Sequence, residues 1–182
     1  RRNACKPGDI ILTTGIHGLS KLGFMIKNKI NLDNNISLNE QLISKSIKHF
    51  CRPQVYPNFL KNLLKTRSNK KIRRIGCTDS SDGLFQAIKD LAIASNCKAI
   101  MNYEKIPKDK NWPKGDEWDK YYFFGGEDYE LVFSLPKKWA NNLSKLDKNI
   151  YEIGYLAKGV PSIEFKDKSK NKLLKKTPYK HF

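Results

Sequence analysis

Residues 77–84 read Cys-Thr-Asp-Ser-Ser-Asp-Gly-Leu, and they join a predicted strand to a predicted helix. The basic and β-branched residues 71–75 predict the strand, and apolar residues recur at helical spacing over 84–96. Two carboxylates, Asp79 and Asp82, therefore lie at a strand-to-helix turn. A helix N-terminus carries unpaired N–H groups and a partial positive charge, so it attracts phosphate oxygens. Carboxylates would repel that phosphate unless a divalent cation lay between them, and Mg²⁺ prefers such oxygen ligands.

A simpler interpretation of this turn is a helix cap. Ser81 or Asp82 would accept a hydrogen bond from the first helical turn, and Gly83 would ease the bend. Taken alone, the stretch favours this cap over a metal site.

The rest of the chain predicts a single α+β domain, residues 1–182, with a mixed β-sheet packed against helices. Strands and helices intermingle without a strict βαβ rhythm, and no internal repeat is found. Strands are predicted at 10–14, 98–103, 129–133, 150–157 and 162–165. Helices are predicted at 21–28, after Ser37, at 57–65, at 84–96 and at 136–146.

Three local features refine this outline. Ser37 and Glu40 have the spacing of a capping box. The pattern Gly15-x-x-Gly18-x-Ser20 lacks the lysine of a P-loop, so it favours tight strand-to-helix packing over a phosphate cradle. Residues 104–120 predict a loop, because their central part has two prolines, many charges and no periodicity; Trp112 and Trp118 would attach it to the body.

Composition limits the class of protein. The formal charge is +17, from 35 basic and 18 acidic residues, which suits an anionic partner, although lysines scattered through the whole chain favour a compositional bias over nucleic-acid binding. No apolar run is long enough to cross a bilayer, and the start, Arg1, has no leader pattern. We therefore expect a cytoplasmic protein without membrane contact, and a piece of a longer chain. The four scattered cysteines predict reduced, mostly buried thiols.

A second informative stretch is residues 125–131, Gly-Gly-Glu-Asp-Tyr-Glu-Leu. A glycine pair lets the backbone approach a neighbour or a ligand closely. Three acidic residues then follow at the mouth of a strand in a strongly basic chain. They would either protect a sheet edge or bind a substrate that carries a positive charge or hydroxyl groups.

Together, residues 79–84 and 125–131 resemble the thiamine-monophosphate kinases, which are relatives of aminoimidazole ribonucleotide synthetase and selenophosphate synthetase. Further stretches agree in order and spacing, namely Pro7-Gly8-Asp9 with the glycine-rich turn after it, Arg52-Pro53, Ile153-Gly154 and the terminal His181-Phe182. The resemblance covers essentially the whole chain and implies the C-terminal domain of the synthetase-like fold. It is most specific at residues 125–131, whereas the Ser-Asp-Gly turn is shared more widely.

The resemblance implies transfer of the ATP γ-phosphoryl group to thiamine monophosphate, which gives thiamine diphosphate. Such transfer needs positioning and charge neutralisation more than covalent help, and no catalytic residue is assigned to this chain. By resemblance, Asp79 and Asp82 would bind Mg²⁺, Ser81 and Arg2 would contact ATP, and Glu127 and Tyr179 would hold thiamine monophosphate. Arg1 competes with Arg2 for its role.

The resemblance also implies partners. The N-terminal domain of the family, which supplies most metal-binding aspartates and much of the ATP site, is absent from these residues. We therefore predict that the isolated chain is inactive and that the full-length enzyme is a homodimer. The alternatives are another ATP-dependent synthetase of the same superfamily, a basic nucleic-acid-binding module whose affinity falls steeply with salt, and a catalytically empty relative kept for interaction.

Overall fold

The computed structural model of the chain describes residues 1–30, 37–54, 56–69, 71 and 74–175. Its strands are β1 Asp9–Thr14, β2 Gly76–Asp79, β3 Lys98–Met101, β4 Leu131–Pro136, β5 Ile150–Ala157 and β6 Ser162–Phe165. Its α-helices are α1 Leu19–Lys27, α2 Glu40–Cys51, α3 Phe59–Lys65, α4 Leu84–Ala94, α5 Asp116–Phe124 and α6 Lys137–Leu146. Short 3₁₀ turns cover Arg2–Ala4, Tyr103–Lys105 and Lys168–Lys175. None of the helices in these ranges has both the length and the apolar character that crossing a bilayer requires.

The six strands form one sheet in the order β2-β4-β1-β5-β3-β6. Neighbouring strands are antiparallel except for β3 and β6, which run parallel, so the predicted mixed sheet of an α+β domain is confirmed. β2 and β1 end where β4 and β5 begin, because Asp79 pairs with Leu131 and Thr14 pairs with Ile150. We call this end of the sheet the upper edge.

Helices cover both faces of the sheet. Successive side chains of a strand point to opposite faces, and apolar side chains on each face pack against helices. Ile11 belongs to one core, which includes residues of α1, α2, α4 and α5. Its neighbour Leu12 belongs to the second core, under α3 and α6, where Trp139 donates a hydrogen bond to the Leu63 carbonyl at 2.9 Å. All four cysteines are free thiols; Cys5 and Cys97 are buried, and Cys51 is exposed.

The strand before the central turn lies later than the sequence predicts. It begins at Gly76, and the prediction of a strand over 71–75 is wrong for Lys71, Arg74 and Ile75, while residues 72 and 73 lie outside the described residues. The physical reason is a competing side-chain contact: the guanidinium of Arg74 donates to the buried Asp9 carboxylate at 2.7 Å. Residues from Gly76 onward then pair with β4, so Asp79 is the last residue of the strand and not part of a longer turn.

Two further predictions need correction. The cap of α2 is Asn39, whose side chain accepts from the Gln41 N–H at 2.9 Å, in place of the expected Ser37. The loop predicted over 104–120 contains the start of α5, which begins at Asp116. Its acidic first turn suits the positive end of a helix dipole, and its aromatic residues are buried on several sides, so it shows no simple periodicity. Trp112 and Trp118 are buried, as expected.

The turn from β1 into α1 is tightly packed. Gly18 has a φ of +85°, and a Cβ on it would lie 2.6 Å from the Tyr122 Cα. Because that neighbour is backbone, it cannot move aside cheaply. This close approach confirms the preference for tight packing at the glycine-rich turn.

Replacing Gly18 with alanine should therefore lower the free energy of unfolding by about 2 kcal/mol more than replacing Gly8 with alanine. Gly8 is a matched control, since its φ is +91° and a Cβ there would meet nothing within 4 Å. Urea denaturation of both variants measures the difference. Equal losses would mean that the positive φ alone, and not contact with α5, determines the cost.

Candidate functional site

The two motifs found in the sequence meet at the upper edge of the sheet. The Ser80 N–H donates to the Glu130 carbonyl at 2.9 Å, and the Glu130 N–H donates to the Ser80 hydroxyl at 3.1 Å. The Glu127 N–H donates to the Ser81 carbonyl at 2.8 Å. Three hydrogen bonds thus hold residues 79–83 against residues 127–130. Asp79 and Asp82 are exposed at this junction, whereas Ser80 is fully buried.

The N-terminus of α4 differs from the simple cap. Its N-cap residue is Gly83, with a φ of 92° and a ψ of 160°, so neither Ser81 nor Asp82 occupies the cap position and that interpretation is wrong. A Cβ on Gly83 would lie 2.9 Å from the Gly125 carbonyl oxygen, which explains why glycine stands here. The first turn of α4 thus packs directly on the glycine pair of the second motif.

Arg2 lies beside the strand that leads into this turn. Its Nε donates to the Thr78 hydroxyl at 3.1 Å, and its Nη1 lies 3.3 Å from a carboxylate oxygen of Asp90 on α4. The Arg2 side chain is still largely exposed, and so is Arg1. The predicted nucleotide contacts Arg2 and Ser81 therefore lie at the same end of the sheet as Asp79.

Glu127 is held by an unusual local backbone. Glu127 and Tyr129 have φ values of 68° and 54°, and the Tyr129 hydroxyl donates to the Glu127 carboxylate at 2.6 Å. This hydrogen bond and the negative charge raise the pKa of Tyr129. Tyr179, the other predicted substrate contact, lies outside the described residues. Tyr129 is an aromatic neighbour of Glu127 that the sequence pattern alone did not indicate.

Asp128 organises a buried polar cluster that the sequence did not predict. Its carboxylate accepts from the Gly18 N–H at 2.6 Å and from the Ser20 N–H at 3.0 Å, and it fills the N-terminus of α1. The ring nitrogens of His17 and His49 lie 4.0 Å and 3.9 Å from its oxygens. The two histidines looked isolated in the sequence because the packing of α2 against α1 and the turn before it, and not sequence spacing, brings them together.

Burial dominates the electrostatics of this cluster. It raises the pKa of Asp128 to about 7, against the opposing effect of the two backbone hydrogen bonds. Burial also lowers the pKa of His17 to about 3. Because Asp128 already satisfies the N–H groups of Gly18 and Ser20, this turn does not offer them to an external phosphate.

The donor set at the turn fits part of a magnesium site. Within the described ranges, no three acidic, histidine or cysteine side chains converge as a complete metal-binding group. Mg²⁺ commonly keeps several waters and binds one or two carboxylates together with substrate phosphates. The exposed Asp79 and Asp82 are compatible with that incomplete protein share.

The chain has sequence relatives along its whole length. Residues 6–165 match the profile of the family described as "AIR synthase related protein, C-terminal domain". The "Thiamine-monophosphate kinase" of Prochlorococcus marinus is 34% identical over 181 residues, which is 100% of this chain and 54% of that protein. The protein of the same name from Bacillus subtilis is 28% identical, over 100% of this chain and 55% of its own length. The chain thus spans about half the length of the curated relatives it matches.

Solved structures share the fold. "AaThiL complexed with AMPPCP and TMP" is similar at a TM-score of 0.73 and 24% identity, over 100% of this chain and 53% of that one. Thiamine-monophosphate kinase from Stenotrophomonas maltophilia K279a gives a TM-score of 0.72 at 21% identity, over 91% of this chain and 52% of that one. At these identities the likeness establishes the arrangement of strands and helices.

Proposed function

The chain belongs to the AIR synthase related proteins, whose C-terminal domain it carries, and we propose that it is the C-terminal part of a thiamine-monophosphate kinase. The observation that carries the proposal is the junction of the two motifs. Residues 79–83 and 127–130 are distant in the sequence, yet three hydrogen bonds join them at the upper edge. This junction puts Asp79, Ser81 and Asp82, which are proposed for metal and nucleotide, next to Glu127, which is proposed for the substrate.

The names of the relatives support the substrate pair. The compared sequences that span all of this chain at 27–34% identity are named thiamine-monophosphate kinase. One structure of similar fold is described as a complex with AMPPCP and TMP. Another ATP-dependent synthetase of the superfamily would keep the fold, but the relatives' names favour the kinase over it.

Each proposed residue in the described part of the chain has a role that its position allows. Asp79 and Asp82 would hold Mg²⁺, which would neutralise phosphate charge during transfer. Arg2 and Ser81 would bind and orient the phosphates of ATP at the end of β2. Glu127, with its carboxylate fixed by Tyr129, would hold the thiamine phosphate, and Tyr179 would pack against its rings. A cationic thiazolium is a suitable partner for a phenol ring.

The proposal includes a second domain. Because the relatives are about twice as long, we propose that activity needs an N-terminal domain like theirs and that the chain alone is inactive. The homodimer and the cytoplasmic location expected from the sequence remain predictions of the same proposal.

A fusion tests this function. The N-terminal part of the Prochlorococcus relative is joined to this chain, and formation of thiamine diphosphate from ATP and thiamine monophosphate is measured. We expect activity that depends on thiamine monophosphate, and none from this chain alone. The unaltered relative is the positive control.

Two results would contradict the proposal. A fusion that unfolds cooperatively but produces no thiamine diphosphate would argue against the kinase assignment. Product made by this chain unaided would disprove the need for a second domain.

A further inference from the structure

A cleft of about 490 Å³ opens beside the upper edge, on the α1–α2 side of the sheet. It is bounded by the end of β1, the last turns of α2, the segment after α2 and the start of β5. This volume lies in the range of small-molecule sites. Within the described part of the chain, none of the residues proposed above for metal, nucleotide or substrate lines it.

The rim of the cleft is basic. Lys45, Lys48 and Arg52 line it from the C-terminal half of α2. Lys45 is paired with Asp109 at 2.6 Å, but within the described part of the chain neither Lys48 nor Arg52 has a carboxylate within ion-pair distance. Two exposed cations thus line the cleft without an ion-pair partner among the described residues.

The floor of the cleft is acidic and well held. The Glu130 carboxylate accepts from the Thr14 hydroxyl at 2.5 Å, and its other oxygen lies 4.0 Å from Nε2 of His49. The side chains of Glu130 and His49 are only 14% and 16% exposed, so their positions are set by packing. A carboxylate at this depth would repel a phosphate but would accept hydrogen bonds from amino or hydroxyl groups.

Aromatic side chains also line the cleft. Tyr56 and Tyr151 are half-buried and line the cleft, and the Tyr56 hydroxyl is fixed by donation to Asp147. Ile16 and Leu19 add apolar surface. The lining therefore combines exposed cations, half-buried tyrosines and a more deeply buried carboxylate.

We propose that this cleft is a second binding site, for a small phosphomonoester whose ring carries a hydrogen-bond donor. Lys48 and Arg52 bind the phosphate at the mouth, the ring lies between the tyrosines, and Glu130 accepts from the donor. Glu130 connects the cleft to the turn proposed to bind metal. Its N–H and its carbonyl are both hydrogen bonded to Ser80 of that turn. The proposal does not depend on the kinase assignment.

A simpler role for the basic residues is structural. Lys48 lies in the last turn of α2, where a positive charge favours the helix dipole, and Arg52 follows directly after the helix. That role predicts an effect on thermal stability but no effect on ligand binding. The thermal denaturation midpoint of each rim variant is therefore measured beside its ligand binding, and a lower midpoint with unchanged binding would support the structural role alone.

Binding to this chain is measured by titration calorimetry with adenosine monophosphate and, separately, with thiamine monophosphate. Adenosine and inorganic phosphate are the matched probes that lack one half of the ligand. We expect the two phosphomonoesters to bind more tightly than either fragment, and Lys48→Ala and Arg52→Ala each to weaken them about tenfold. Lys138→Ala, an exposed lysine on α6, is the control and should change nothing.

Glu130→Gln provides an independent variant. It should weaken the phosphomonoesters without weakening inorganic phosphate, since only the donor-bearing ring reaches the floor. Failure of both phosphomonoesters to bind, or equal binding by the wild-type chain and both rim variants, would overturn the site. Loss of binding in Asp82→Asn, with Lys48→Ala unaffected, would move the ligand to the turn and also refute the proposal.

Discussion

Asp82→Asn is expected to reduce thiamine diphosphate formation by about 100-fold or more when the chain is assembled with an N-terminal domain. The substitution keeps the size of an exposed side chain just before the N-cap of α4, so the fold should be unaffected. It removes one negative charge from the proposed magnesium site. Charge neutralisation at the transferring phosphoryl group is the main contribution expected of this site.

The kinetics of Asp82→Asn should identify the cause of the loss. We expect the variant to need a higher magnesium concentration for half-maximal rate, because a neutral amide is a weaker ligand than a carboxylate. Asp167→Asn, an exposed aspartate after β6, is the matched control and should behave like wild type. Unchanged turnover and an unchanged magnesium requirement would remove Asp82 from the metal site.

Asp128→Ala is expected to be the most destabilising single change, with a loss of about 3 to 5 kcal/mol in the free energy of unfolding. The alanine would leave the buried N–H groups of Gly18 and Ser20 without their acceptor. It would also open a cavity beside two histidines. Urea denaturation measures the loss, and Glu104→Ala on the surface should cost less than about 0.5 kcal/mol. A similarly small loss for Asp128→Ala would show that water replaces the carboxylate.

The same cluster should give a distinctive pH dependence. Burial raises the pKa of Asp128 to about 7 and lowers that of His17 to about 3. Between about pH 4 and 6.5, folding therefore adds a proton at Asp128 and removes one from His17, so their effects on stability cancel. Below about pH 4 the unfolded chain binds the extra proton of His17, and stability falls with decreasing pH.

Single variants should separate the two effects. In His17→Gln, Asp128 is the member of this pair whose titration still changes the free energy of unfolding. That free energy should fall by about 1 kcal/mol per pH unit as the pH rises from 4 to 7. In Asp128→Asn only His17 contributes, and stability should rise over about the same range. Thermal denaturation at several pH values measures both slopes, and two variants with the same slope would contradict the assignment.

Local patterns predicted much of the fold. The apolar spacing over 84–96 predicted α4, and the strands predicted at 10–14 and 150–157 correspond to β1 and β5. The errors arise where a distant contact overrides a local preference. Arg74 forms an ion pair with Asp9 and does not join a strand. The aromatic end of α5 is buried on several sides, so its apolar residues do not show the helical spacing of an amphipathic helix.

The sequence predicted the two motifs of the candidate site separately, and did not predict the hydrogen bonds that join them. Residues 79–84 and 125–131 stand out because acidic residues beside glycines are conspicuous in a basic chain. Asp128 lies in the second of these stretches, but its contacts with His17 and His49 gave no signal, since neither histidine has a ligand-spaced partner nearby in the sequence. The cleft gave none either, because its basic rim and acidic floor come from different elements.

The amino-acid sequence by itself determined the local elements, the two acidic turns and the family resemblance, because each depends on neighbouring residues. Only the tertiary structure decided which of these turns meet and what lies beneath them. Asp128 reaches Gly18 across 110 residues of sequence, and Glu130 reaches Ser80 across 50. Such contacts require four strands to pair in one register, since the upper edge exists only where β1, β2, β4 and β5 are aligned.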